Sequence, residues 1–334
     1  MSIYFLTGCA GFIASNVARQ LLQAGHTVFG VDDRNDAYDV ALKDWRLDQL
    51  ASFERFHFQP IDVTDRPKLN AYFYDALKAE KRPNFDACIH LAARAGVRYS
   101  TQNPWVYIET NVTGTLNLLE LCRETQTTKF CLASSSSVYG NSTEEIFRED
   151  QRTDAPCSPY AASKKAGEAL AYSYTHLFGL DCSILRFFTV YGPAGRPDMS
   201  ILRFVHAIAE GKPIRLYGDG SAERDFTYCD DIARGVIASL KPVGYEIFNL
   251  GGNQTFSVRQ LIEIISDQLG KEPKIERFPA HPADVQRTHA DISKARRLLG
   301  WKPEWTLPDG IAQTIAWYKE NRKWVKKLKS LRAE

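Results

Sequence analysis

Ile3-Tyr4-Phe5-Leu6-Thr7-Gly8-Cys9-Ala10-Gly11-Phe12-Ile13-Ala14 is the stretch on which the fold of this chain turns. A short β-favouring apolar run is followed by two glycines, then by a segment through Gln23 with helical periodicity. Glycines between a strand and a helix permit a tight turn. They also let backbone N–H groups approach an anion at the helix N-terminus, where the helix dipole favours negative charge. The spacing is Gly-x-x-Gly-x-x-Ala, and Ala14 is small enough for the helix to pack closely on the strand. Thr27–Val31 reads as a second strand with Asp32 at its end. A carboxylate there accepts hydrogen bonds from an adenosine ribose and repels a 2′-phosphate. The pattern predicts a dinucleotide site preferring NAD to NADP, a preference that Arg34 nearby weakens slightly.

Outward from this loop the alternation continues. Phe56–Gln59, 86–90 and 129–133 read as further strands and 104–123 as one long helix. The strands are continuous apolar runs, as a sheet covered on both faces requires. The expected class is α/β: a doubly wound parallel Rossmann sheet with a smaller α/β C-terminal domain. Beyond residue 186, Pro and Gly clusters such as Gly192-Pro193 and Gly218-Asp219-Gly220 mark the change of texture. The expected domains are 1–185 and 186–334, with a segment near 228–255 returning to the first.

Composition narrows the function. Over 334 residues, Lys plus Arg number 42 and Asp plus Glu 40, for a formal charge of +2. That balance lacks the basic footprint of a nucleic-acid binder, so no nucleic-acid partner is expected. Neither a signal peptide nor a membrane span is visible, and the seven cysteines are odd in number and scattered. A cytoplasmic protein with reduced thiols is expected. The histidines show no ligand spacing, so no metal is expected. Between Lys319 and Glu334 there are seven basic residues against two acidic. The body is therefore mildly acidic, and the tail is basic and weakly amphipathic. Such a tail suits a solvated helix end or contact with a membrane surface.

Two further stretches carry chemistry. Ser134-Ser135-Ser136-Ser137-Val138-Tyr139-Gly140 follows the fifth strand, at the sheet edge where ligands bind. Tyr160-Ala161-Ala162-Ser163-Lys164 then sets Tyr and Lys at i and i+4, on one helix face. A free Tyr titrates near ~10 and must fall by roughly 3 units, about 4 kcal/mol, to act as a base at neutral pH. A nearby Lys⁺ and a positively charged nicotinamide both stabilise the phenolate.

With the Gly8/Gly11 loop, His90-Leu91-Ala92-Ala93, Asn111, the serine loop, Tyr160/Lys164 and Arg224-Asp225-Phe226-Thr227-Tyr228, the chain resembles the extended short-chain dehydrogenase/reductase family over nearly its whole length. Within that family it resembles the nucleotide-sugar 4-epimerases. The likeness narrows to UDP-glucuronate 4-epimerases at Leu185–Met199, Ala95–Ser100 and Asn35–Val40.

The resemblance implies Ser135, Tyr160 and Lys164 as catalytic positions. It implies cofactor contacts from Gly8, Gly11, Phe12, Ile13, Asp32, Asp62, Val63, Leu91, Ala92, Ala93, Asn111 and Phe187, besides Tyr160 and Lys164. It assigns the substrate to Val97, Arg98, Ser135, Ser136, Ser137, Thr189, Arg196, Leu216, Tyr217, Arg224 and Asp284, while His281 stands where relatives often carry Arg or Gln. The implied cofactor is NAD, tightly bound and regenerated each turnover. The implied partners are a UDP-sugar substrate and a second copy in a homodimer.

The implied reaction oxidises sugar carbon 4, turns the keto-sugar, and reduces its other face. A uronic acid adds a hazard, because its 4-keto form is a β-keto acid that can lose carbon dioxide. Ser136, Ser137 and Thr189 are small donors suited to holding the carboxylate near the carbonyl plane. Relatives that decarboxylate or dehydrate carry an acidic residue at the Ser137 position, and neutral-hexose epimerases usually carry Asn at the Thr189 position. The alternatives are a UDP-hexose or UDP-N-acetylhexosamine 4-epimerase, a UDP-glucuronate decarboxylase and, in another class, a non-catalytic NAD(H)-binding redox sensor.

Overall fold

The computed structural model describes residues 1–279 and 286–332. Its strands are β1 Ile3–Thr7, β2 Thr27–Val31, β3 Phe56–Gln59, β4 Ala87–His90, β5 Lys129–Ser135, β6 Asp181–Phe187, β7 Thr189–Tyr191, β8 Pro213–Tyr217, β9 Glu223–Tyr228, β10 Tyr245–Leu250, β11 Thr255–Ser257 and β12 Lys274–Phe278. Seven form one sheet in the order β10-β6-β5-β4-β1-β2-β3. Every pairing in it is parallel.

Side-chain alternation explains why the inner strands are apolar throughout, while the edge strand β3 partly buries Phe56 and Phe58 and exposes His57 and Gln59. Leu6, Val28, Ile89, Cys131, Leu185 and Phe248 face one side, under helices Phe12–Gln23 and Cys229–Ala238. Phe5, Phe29, Cys88, Phe130, Leu132 and Ile184 face the other, under Arg66–Ala79, Gly114–Thr125 and Pro159–Phe178. The strand order reverses between β1 and β4, and a ligand crevice opens at such a switch point.

The second half of the chain contributes β10 to the edge of this sheet. Its remaining strands pair as β11-β9-β7 and β12-β8. Helices Ser200–Ala209, Val258–Leu269 and Leu307–Val325 enclose a separate core that includes Ile201, Val205, Leu261, Ile265, Ile311 and Ile315.

Two sequence expectations are corrected. The expected helix over 104–123 is interrupted: Trp105–Ile108 runs into a π-turn at Glu109–Thr113 before Gly114–Thr125. The wider turn is held by tertiary contacts. The Asn111 amide is bonded to the Arg94 backbone, and Gly114 lies so close to Val63 that a Cβ would sit 2.6 Å from its Cγ2. The apolar side of the basic tail is spent inside the protein. Val325, Leu328 and Leu331 are buried in the second core and Trp324 packs against it, so among the described residues the apolar side of the tail faces inward. Among the described residues, no helix is long and apolar enough to cross a membrane.

Candidate active site

At the end of β1 the backbone turns so sharply that only glycine fits. Gly8 has φ +73°, and a Cβ on it would lie 2.8 Å from the Ala92 backbone; a Cβ on Gly11 would lie 2.8 Å from the Gly8 carbonyl oxygen. The Gly8 N–H donates to the Val31 carbonyl at 2.7 Å, fastening the loop to β2. Gly11 caps helix Phe12–Gln23 without a side-chain hydrogen bond, so the first-turn N–H groups have no capping side chain. Gly8, Gly11, Phe12 and Ile13 line a cavity of about 400 Å³. A cradle with no room for a Cβ, at an uncapped helix N-terminus, fits a dinucleotide pyrophosphate.

Asp32 sits at the lip of this cavity, 7% exposed. Its carboxylate accepts from the Ala10 N–H at 3.2 Å and the Arg34 N–H at 2.7 Å. Lys43 Nζ lies 3.7 Å from its Oδ1. Burial raises the Asp32 pKa, and Lys43 opposes that shift. Asp62, Val63, Leu91, Ala92, Ala93 and Phe187 line the same cavity. Asn111 plays a different part. Its Oδ1 accepts from the Arg94 N–H at 2.8 Å, and its Nδ2 donates to the Arg94 carbonyl at 3.0 Å and to Ser163 Oγ at 2.9 Å. Its amide is thus committed to shaping the 91–94 turn, while Thr110 beside it lines the cavity.

The next wall carries the reactive groups. Ser135, Ser136, Ser137, Tyr160, Lys164, Thr189, Val97 and Arg196 all line the cavity. β5 runs through Ser135, which brings the serines to the sheet edge. Ser158 caps helix Pro159–Phe178 by accepting from the Ala161 N–H, with Pro159 pre-set for the first turn, so Tyr160 and Lys164 share its opening turns. Lys164 is 6% exposed and donates to the Ala133 carbonyl at 2.9 Å. Burial lowers its pKa to about 7. Burial pushes the Tyr160 phenol up, opposed by a hydrogen bond with Ser135 and by the Arg196 charge. Ser135 Oγ also accepts from the Ser137 N–H at 3.2 Å. A phenol, a hydroxyl and a lysine so placed can pass one proton to and from a bound hydroxyl group.

The Arg196 guanidinium is held by Asp198 through Nε at 3.0 Å and Nη2 at 2.6 Å. Leu216 and Tyr217 on β8 and Arg224 on β9 lie outside the cavity lining. Arg98 nevertheless lies over the Tyr217 ring at 5.0 Å, bringing two of the expected substrate residues together across the halves of the chain. Arg224 Nη1 donates to its neighbour's carbonyl, on Glu223, at 2.8 Å. Asp284 and His281 fall outside the described residues.

Sequence reasoning missed Asp33 and Lys43, and it gave no site role to Asn35, Tyr38, Gly96 and Asp198 within the stretches that carry the resemblance; all six line the cavity. Lys43 and Arg46 had a faint signal: on helix Val40–Ala51 they share the buried stripe of Leu42 and Leu50, where a charge needs a partner.

Comparison with known proteins agrees with this arrangement. The family pattern described as GDP-mannose 4,6 dehydratase matches residues 5–314. A UDP-glucuronate 4-epimerase of Thermodesulfobacterium geofontis is 53% identical over 330 residues, covering 98% of this chain and 100% of that protein. The structure of the Bacillus cereus UDP-glucuronic acid 4-epimerase with UDP-glucuronic acid and NAD aligns with a TM-score of 0.87 and 34% identity, over 96% of this chain and 99% of that one. A Thermotoga maritima UDP-glucose 4-epimerase with UDP-glucose aligns at 0.85 and 27% identity, over 96% and 99%.

The sheet, glycine cradle and Tyr–Lys pair are those of a nucleotide-sugar-modifying dehydrogenase fold. The chain belongs to the extended short-chain dehydrogenase/reductase family, in the branch of nucleotide-sugar epimerases and dehydratases.

Proposed function

We propose that this chain interconverts UDP-glucuronate and UDP-galacturonate by NAD-dependent 4-epimerisation. The observation that carries the reading is the substrate wall. The serine loop and Thr189 present hydroxyls, with no carboxyl group at Ser137 to protonate an enolate or repel the substrate's carboxylate. The relative at 53% identity is a UDP-glucuronate 4-epimerase, which supports the uronate over neutral sugars.

NAD, held by the Gly8–Ile13 cradle and Asp32, would supply reversible oxidation at sugar carbon 4. Tyr160 takes the 4-hydroxyl proton and returns one to the same oxygen after the keto-sugar has presented its other face for reduction. Ser135 hydrogen-bonds the same oxygen and relays the proton. Lys164, one turn along the same helix, would favour the phenolate in its protonated form, and the Arg196 charge favours it already, lowering the barrier to proton removal. Ser136, Ser137 and Thr189 hold the carboxylate near the carbonyl plane while the intermediate turns. The cradle and Asp32 would keep NAD in place through the turnover.

On this reading Arg98 and Tyr217 receive the uridine end of the substrate, and Arg196 and Arg224 the diphosphate. Residues 1–185 with the returning segment near 228–255 form the cofactor domain. The enzyme works in the cytoplasm as a homodimer, and exposed Trp105, Ile108, Leu116 and Tyr172 on the helices over 105–125 and Pro159–Phe178 support a second copy packing there.

Incubation with UDP-glucuronate and no added cofactor should yield UDP-galacturonate. UDP-xylose would point to a decarboxylase, and activity confined to UDP-glucose or UDP-N-acetylglucosamine would remove the uronate assignment.

A further inference from the structure

Arg46 is 2% exposed on helix Val40–Ala51 and has no carboxylate partner among the described residues. Its guanidinium bridges two loops. Nη1 donates to the Ala10 carbonyl at 3.0 Å, inside the glycine cradle. Nε and Nη2 donate to the Ala194 carbonyl at 3.1 and 2.6 Å, in the loop that carries Arg196. Nη1 also donates to the Tyr38 hydroxyl at 2.6 Å. Three cations ring Tyr38: Lys43 at 5.3 Å, Arg46 at 5.4 Å and Arg196 at 5.8 Å from its centroid. Ala194 is held at φ +50°, a conformation that a non-glycine residue keeps only when its surroundings enforce it. The two hydrogen bonds that Arg46 donates to the Ala194 carbonyl are such an enforcement.

Lys43 has Asp32 and Arg196 has Asp198, so Arg46 is the cation of this ring without a carboxylate among the described residues. A buried guanidinium facing only carbonyl dipoles, the Tyr38 hydroxyl and the rings of Tyr38 and Phe12 is costly. It lies between the cradle for one diphosphate and the loop carrying an arginine for another. Two anionic ligands brought to neighbouring loops repel each other, and a fixed positive charge between them offsets that repulsion.

We propose that Arg46, with Tyr38, is a positioning latch that couples the two sites, so that a nucleotide diphosphate at the Arg196 loop slows release of the dinucleotide from the Gly8–Ile13 cradle. The coupling is reciprocal by linkage. The proposal rests on the reading of the two sites as dinucleotide and nucleotide-sugar sites.

The test measures the rate at which bound NAD exchanges with labelled NAD, with and without saturating UDP, in the full-length holoenzyme. Wild-type exchange should slow by about 5-fold or more when UDP is added. In Arg46→Gln the slowing should vanish or reverse to acceleration. Tyr38→Leu reads the same ratio at a half-buried position, should Arg46→Gln fail to fold, and should lose most of the slowing. A uniform loosening of the fold would speed exchange equally with and without UDP, leaving the ratio unchanged. An unchanged ratio in both variants, or no UDP effect in the wild type, overturns the proposal. UDP-glucuronate turnover, assayed separately, reports on the epimerase reading and can fail independently.

Discussion

The Ser134 hydroxyl donates to Glu168 Oε1 at 2.6 Å, tying the serine loop to the helix that carries Tyr160 and Lys164. Glu168 and Arg186 are each 1% exposed, and Arg186 bonds both carboxylate oxygens at 2.9 Å. The buried ion pair thus backs the catalytic wall. Glu168→Gln leaves Arg186 buried without its anion and should cost about 3–5 kcal/mol in urea unfolding. Ser134→Ala removes only the tie. It should cost about 1 kcal/mol and lower kcat several-fold with KM little changed. Equal losses of stability from the two variants would contradict this division of roles.

Burial of Lys164 gives stability a pH dependence of known sign. Its folded pKa is lowered to about 7 from an ordinary value of 10.5. Below about pH 7 both states hold the proton, and the cost of burying the charge is complete. Between those values the unfolded chain binds more protons, so this residue's contribution to stability rises with pH. The stability of Lys164→Met relative to wild type should therefore be greatest below pH 7 and decline as pH rises to 9. Denaturant titrations at several pH values would refute this if the difference stayed flat.

Thr189 and Ser137 line the same cavity as the cradle. Thr189→Ala should raise the ratio of decarboxylated to epimerised product from UDP-glucuronate. Ser137→Asp should raise it further, by supplying a group that can protonate the enolate. Separation of products by anion exchange measures both. An unchanged ratio in Thr189→Ala would remove its role in holding the carboxylate.

Lys43 Nζ lies in the cavity wall beside Asp32, 3.7 Å from Oδ1. Its ammonium can donate to the ribose hydroxyls from which Asp32 accepts. A charge-assisted hydrogen bond contributes about 1.5–3 kcal/mol. Lys43→Met should therefore lose NAD roughly 10-fold faster on gel filtration. Retention equal to wild type would mean that Lys43 serves Asp32 alone.

Much of this was legible in the residues, for physical reasons that differ by element. β1 and β2 were readable at their observed bounds because inner strands of a doubly covered sheet are apolar runs closed by polar turns, and the edge strand β3 because Phe56 and Phe58 alternate with exposed His57 and Gln59. Gly8 and Asp32 were readable because a dinucleotide loop needs both within one βαβ unit. The π-turn at Glu109–Thr113 was not, since it is set by Asn111 reaching Arg94 and Gly114 meeting Val63, contacts that no local periodicity records. Arg46 was missed because its partner Ala194 is 148 positions away. The basic tail misled in one respect: its spacing shows an amphipathic face, but only the packed core shows that Leu328 and Leu331 are already covered.

The central claim is that oxidation and reduction occur at the same sugar carbon within one turnover. The most direct measurement uses UDP-glucuronate deuterated at carbon 4, with enzyme as purified and no added NAD. The product should be UDP-galacturonate with deuterium retained at carbon 4, and Tyr160→Phe should reduce its rate by about 10²–10⁴. Loss of the label from the epimerised product, or UDP-xylose in its place, would contradict the assignment.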